Sequence, residues 1–212
     1  MPPKKVSTSK TPSKPVTSKG TTTKTPEKKA GIQKGEASAS ASASASAAPP
    51  PMPPVTTISL KGLSTLAEEA NRKDPNKWPL IIDLQGNVTT FFKYRDANVL
   101  QAELPGDLSV DKLRVALIGA LRFGKPLVLD MGSRDMGEVE RLNDVEKNLL
   151  DSLLNKTLLE DERYLTLVQP EDEKEYHNSA YYATERFSLV VVTTNPSPNT
   201  HIAARMTCFQ VE

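Results

Sequence analysis

The sequence predicts an α/β domain on a mainly parallel sheet, and three observations lead there. Short runs such as "PLIID" (79–83), "KPLVLDM" (125–131) and "RFSLVVVTTN" (186–195) are apolar almost throughout, as strands covered on both faces must be. Segments with helical spacing of apolar residues lie between them, among them "VDKLRVALIGALRFG" (110–124) and "EVERLNDVEKNLLDSLLNK" (138–156). Strands that alternate with helices of about a dozen residues form parallel crossover units.

The elements follow in order. Residues 1–55 precede the domain and carry nine lysines (Lys4, Lys5, Lys10, Lys14, Lys19, Lys24, Lys28, Lys29 and Lys34) against Glu27 and Glu36, a charge of +7. Residues 56–212 hold 18 basic and 24 acidic side chains, a charge of −6, so the near-neutral total hides a basic tail on an acidic domain. The tail has no aromatic residue and ends in "ASASASASASAAPPPMPP". It has too little apolar surface to offset its ordering entropy and is expected to be disordered. Residues 56–75 read as a leading helix and linker, the helix running from Ile58 to Arg72 with Leu60, Leu63 and Leu66 on one face, stopped by "DPN" (74–76). The strand 79–83 and a turn then lead to a helix over 88–95 and an alternating strand, "VLQAEL" (99–104). Asp107 or Ser109 caps the helix that Gly124 ends; its apolar residues spread beyond one stripe, as a helix covered on more than one side requires. After strand 125–131 come helix 138–156, a short strand or turn at "RYLTLV" (163–168), strand 186–195, a helical turn at "THIAARM" and a terminal strand, "TCFQV" (207–211).

Composition excludes several classes. No apolar run approaches the ~20 residues of a membrane helix, and the lysine-rich N-terminus lacks the apolar stretch of a secretory signal. One cysteine, Cys208, permits no internal disulfide framework, and with two histidines no metal-ligand cluster is visible. The expectation is a soluble, cytoplasmic protein. His177 in the acidic stretch "QPEDEKEYHNSAYY" and His201 have no nucleophile beside them, Cys208 reads as a small core residue, and the carboxylates of 160–175 read as a solvated edge.

The turn after the first buried strand, "IIDLQGNVTTFF", has the order of a phosphate-binding loop: strand, glycine-containing turn, helix. A working loop, G-x-x-x-x-G-K-[ST], aims backbone N–H groups at the phosphates, neutralises them with lysine and holds Mg²⁺ with the hydroxyl. Here the turn is short and has one glycine, Gly86; Asn87 and Val88 follow it where Lys and Ser/Thr would stand. Asp83 and Gln85 are left to cap and brace the turn. Asp130 ends "LVLDM" where a Walker-B aspartate would hold Mg²⁺, but Met131 replaces the glutamate that would orient water, and a strand-end Asp is also a common cap. Thr194 and Asn195 end a strand where a polar residue could sense a γ-phosphate, or where the chain simply enters a double-proline turn.

These segments together carry a resemblance. "KWPLIIDLQGN", "ALRFGKPLVLDM" and "ERFSLVVVTTNPSPNTHIAARMTCFQV" resemble, in order and approximate spacing, the dynein heavy-chain ATP-binding motor region D5, the fifth AAA+ module, whose nucleotide site is itself degenerate. The longer series "WPLIID", "FFKYRDAN", "LRVALIGALRFGKPLVLDM", "YLTLVQPEDEKEY" and "RFSLVVVTTN" is similar to the C-terminal domain of the IQ motif and ankyrin repeat domain-containing proteins. The resemblance covers about residues 76–212 and implies a P-loop NTPase-like (AAA+) core with a degenerate nucleotide site. Asp83, Gln85, Gly86 and Asn87 would form the vestigial Walker-A turn, Asp130 the Walker-B tip, and Thr194/Asn195 the sensor. The chain lacks an IQ motif, the ankyrin T-P-L-H signature, and the dynein stalk, linker and other modules, so motor activity does not transfer.

The expected function is therefore a non-catalytic interaction module, cytoskeletal or ciliary, with no cofactor. Lysines spaced among Pro, Ser and Thr suit a multivalent contact with the acidic tails of microtubules or with axonemal components, weakened by phosphorylation at the "KTP" sites of Thr11 and Thr25; a plain flexible extension is the competing reading. Nucleic acid fits less well, because no aromatic residue interleaves the lysines to stack on bases. ATP binding without turnover, or with slow hydrolysis, is the alternative for the domain. The oligomeric state has no signature in the sequence.

Overall fold

The computed structural model describes residues 50–212. The expectations for the tail lysines and the two phosphorylatable threonines fall on residues 1–49, outside the described residues.

Six strands form one sheet: β1 (Val55–Ile58), β2 (Trp78–Ile82), β3 (Asn98–Gln101), β4 (Pro126–Asp130), β5 (Ser188–Thr193) and β6 (Met206–Val211). Their order is β1-β6-β2-β5-β4-β3, and every neighbouring pair runs parallel. The all-apolar runs occupy the middle of the sheet. β2 and β5 are buried at every position, which requires layers on both faces.

Those layers divide the helices. On one face, α1 (Leu66–Lys73) and α2 (Asn87–Lys93) bury Leu66, Ala70, Val88 and Phe92 against Ile81, Val128, Val190, Val192 and Phe209. On the other, α3 (Val110–Phe123), α4 (Leu142–Val145), α5 (Leu149–Leu154) and α6 (Thr200–Ala203) pack on Leu80, Leu127, Leu129, Leu189, Val191 and Cys208. Connections β1→β2 and β2→β3 step one way across the sheet over the first face. The three later connections step the opposite way over the second face. All five therefore share one hand, as parallel crossovers do.

Local departures from the sequence expectation have physical causes. The leading segment does not start as a helix. Val55, Thr56, Thr57 and Ile58, β-branched in succession, extend β1 along β6. Ser59 then caps a 3₁₀ turn over Leu60–Thr65, and α1 begins only at Leu66. The helix expected over 138–156 is broken into a 3₁₀ stretch (Met136–Arg141), α4 and α5. Glu146 is extended, Asn148 is left-handed (φ 62°), and the Asn143 side chain accepts the Leu150 N–H at 3.0 Å, competing with the helix ladder. Val139, Leu142, Leu149 and Leu153 are buried all the same. Of the two options left open at 163–168, strand or turn, residues Arg163–Leu167 take the turn, as a 3₁₀ helix. α3 ends at Gly124 in the left-handed region (φ 61°), where an added Cβ would lie 2.8 Å from the Ala183 carbonyl oxygen. Ser109 is the residue before α3; Asp107 instead accepts the Gln101 N–H at 3.1 Å and pairs with Lys112.

Candidate functional site

β2 and β5 are neighbours whose outgoing connections leave on opposite faces of the sheet. Such a switch point opens a crevice at the carboxyl ends of the strands, where ligands of open α/β sheets bind. The turn at Asp83 and the residues after Thr193 both lie there, and β4 brings Asp130 to the same edge one strand further on.

The turn is closed by its own carboxylate. Asp83 is 1% exposed. Its Oδ1 accepts the N–H groups of Gln85 (3.2 Å) and Gly86 (3.0 Å), and its Oδ2 accepts that of Val88 at 2.7 Å. Gly86 sits at φ 74°, ψ 23°, the left-handed bend that turns these amides inward. Three backbone donors that converge on one anion are thus already satisfied. Gln85 and Asn87 point outward and bond each other, Nδ2 to Oε1, at 3.2 Å.

Asp130 is held by a second set of donors. The Gly132 N–H reaches Oδ1 at 2.9 Å, while the Thr89 hydroxyl (2.7 Å) and the Gln101 amide (3.1 Å) donate to Oδ2. Lys93 donates to the Gln101 side-chain oxygen Oε1, so this ammonium reaches Asp130 only through the Gln101 amide. Met131 is fully buried in the core, leaving its position without a polar group facing the crevice.

The tips of the strands are stitched by backbone contacts. Asp83 N–H donates to Thr193 O (2.8 Å), Met131 N–H to Val192 O (2.8 Å) and Thr194 N–H to Gly132 O (2.9 Å). Thr194 therefore enters through its amide. Thr193, the last residue of β5, accepts the Asn195 N–H on its hydroxyl at 3.1 Å, and the Asn195 side chain accepts the Ser197 N–H at 2.9 Å. Beyond the crevice, Glu103 Oε1 accepts both the N–H (2.9 Å) and the hydroxyl (2.7 Å) of Ser133. Those bonds hold the Glu103 carboxyl below the usual carboxylate range.

The structure thus brings together Asp83, Gly86, Asp130 and Thr194 at one edge, but turns Gln85, Asn87 and Asn195 to local turn bonds. Thr89, Lys93, Gln101 and Gly132 complete the site and were missed. Thr89 carried a signal: it is the first hydroxyl after Gly86, one place later than a Walker-A serine or threonine. Among the described residues, no group of three or more His, Cys, Asp or Glu could hold a metal ion. Nor does any helix among them have the length and apolarity to cross a membrane. His177 and His201 are exposed, and burial pushes the Cys208 thiol up to about 11, which keeps it protonated within the core. No family model matches the chain.

Proposed function

We propose that the domain is a non-catalytic interaction module built on a P-loop NTPase-like (AAA+) core whose nucleotide site has been filled from within. One observation carries this: the Asp83 carboxylate takes the three backbone N–H groups that a phosphate would otherwise engage. A phosphate entering there would meet a buried negative charge and no lysine, which is repulsive where an active loop attracts. The strand order supports the core assignment, since β5, with the sensor position at its end, lies between β2 and β4, which carry the Walker-A-like turn and the Walker-B-like tip. Met131, in the place of a water-orienting carboxylate, supports the absence of hydrolysis.

The second reading, nucleotide binding with little or no turnover, rests on the Thr89–Asp130 pair at 2.7 Å. A hydroxyl and a strand-end aspartate are the two groups that hold Mg²⁺ in P-loop enzymes. Titration of a fluorescent ATP analogue with Mg²⁺ separates the two. The module reading expects no saturable binding up to about 1 mM, an affinity worth only ~4 kcal/mol. A micromolar dissociation constant abolished by Asp130→Ala would establish the second reading instead.

The resemblance to a dynein module and the +7 tail together favour a cytoskeletal or ciliary setting in the cytoplasm, with microtubules or axonemal proteins as partners.

A further inference from the structure

A cavity of about 170 Å³ opens far from the Asp83 turn, at the amino ends of β4 and β5 on the face covered by α1 and α2. Leu63, Leu66, Phe91, Phe92 and Val190 provide its apolar walls. Its size is that of an apolar cavity able to take a benzene ring, which needs ~150 Å³.

Three polar residues break that apolar lining, and one of them, Ser64, already donates its hydroxyl to the Lys61 carbonyl oxygen at 2.9 Å. Arg95, one turn beyond Phe91, lies over the Phe91 ring with its guanidinium carbon 5.0 Å from the centroid. It forms no ion pair among the described residues, whereas the carboxylate beside it, Asp96, is engaged by Lys125 at 2.6 Å. Ser188, only 6% exposed and the first residue of β5, is the other polar residue in the lining. A wall hydroxyl and an exposed guanidinium without a carboxylate, set at the edge of a ring-sized apolar space, are complementary to one kind of molecule.

We propose that this cavity binds a small carboxylate with an aromatic body: the ring lies among Leu63, Leu66 and Phe92, and the carboxylate meets Arg95 and Ser188. Arg95 supplies the planar two-pronged donor that suits a carboxylate and is itself prepositioned by stacking on Phe91. The proposal is independent of the nucleotide reading, because the cavity and the Asp83 turn share no residue.

The test uses the full chain, ¹⁵N-labelled, titrated with phenylacetate and followed by amide chemical shifts. Saturable shifts are expected at Ser64, Ala67, Arg95 and Ser188, with a dissociation constant of about 1 mM or tighter for a ligand of ten non-hydrogen atoms. Neutral phenylacetamide is expected to bind about tenfold more weakly, and Arg95→Gln to weaken phenylacetate about tenfold while leaving phenylacetamide unchanged. Ala67→Phe, an exposed position at the cavity wall, is expected to block both ligands without unfolding the domain. Absence of saturation, equal affinity for acid and amide, or an unaltered affinity in Arg95→Gln would each overturn the proposal.

Discussion

Asp83 has the largest consequence of any single residue here, because three amides depend on one side chain. Replacing it with alanine leaves the buried Val88 N–H without an acceptor and takes the carboxylate from the exposed Gln85 and Gly86 N–H groups, of which Gly86 keeps a long bond to the residue-83 carbonyl oxygen, at a cost of roughly 1–3 kcal/mol. For a domain of this size that lowers Tm by several degrees at ~2–4 °C per kcal/mol. Asp83→Asn keeps one acceptor oxygen and should retain part of the loss; calorimetry on the three chains measures the series. A Tm unchanged in Asp83→Ala would mean that the amides find water at no cost. The sequence made Asp83 visible as a turn residue, since a strand-end aspartate before a glycine is a common signal. It could not show that the carboxylate folds back on the amides of its own turn. Thr89 was hidden for a related reason: its partner, Asp130, is 41 residues away, and no local pattern reports that meeting.

Among the elements, α3 and the acidic segment after Val168 are joined by one partly buried ion pair. Arg114, inward-facing on α3, donates to both oxygens of Asp172, at 2.6 and 3.3 Å, and to the Leu167 carbonyl oxygen. The Arg114 hydrogen bond, followed by the Gln169 N–H, holds the Asp172 carboxyl below its ordinary range. A depressed carboxylate contributes stability that is present above the unfolded-state pKa, ~3.9, and is lost as pH falls through the lower folded value. Denaturant unfolding at pH 7 should therefore show Arg114→Met destabilised by about 1–3 kcal/mol. The gap to the parent should narrow below about pH 4. A gap that stays constant to pH 2.5 would contradict the latch. Helical spacing in the sequence identified α3 and its broad buried face, yet the charge at position 114 sits within that face and was invisible as a core contact. The same limit explains the broken 138–156 helix. Periodicity placed Val139, Leu142, Leu149 and Leu153 on the inside, and they are inside, but the Asn143 side chain that interrupts the ladder leaves no periodic trace.

At the scale of the whole molecule, the sequence separates into a basic segment and an acidic domain, with charges of +7 and −6. If the basic segment docks on microtubules, co-sedimentation of the full chain should fall as ionic strength rises, because exposed charges are screened over about 8–10 Å. A chain beginning at Val55 should fail to pellet; equal pelleting would move the docking surface to the domain. The class of the sheet was legible, since only parallel strands covered on both faces need to be apolar throughout. The order of its strands was not. β2, β4 and β5 are equally apolar, and nothing in their composition says that the last-but-one strand slots between the other two.

The closed turn has one further consequence. A tethered carboxylate is a ligand that never dissociates, present at its own site at an effective concentration that a free nucleotide cannot match. Asp83 thus acts as a resident competitor, and occupancy of the three amides is decided by chain connectivity and not by cellular nucleotide levels. Restoring a lysine after Gly86 would supply that competitor with a counter-charge. Only its removal would return the amides to an incoming phosphate.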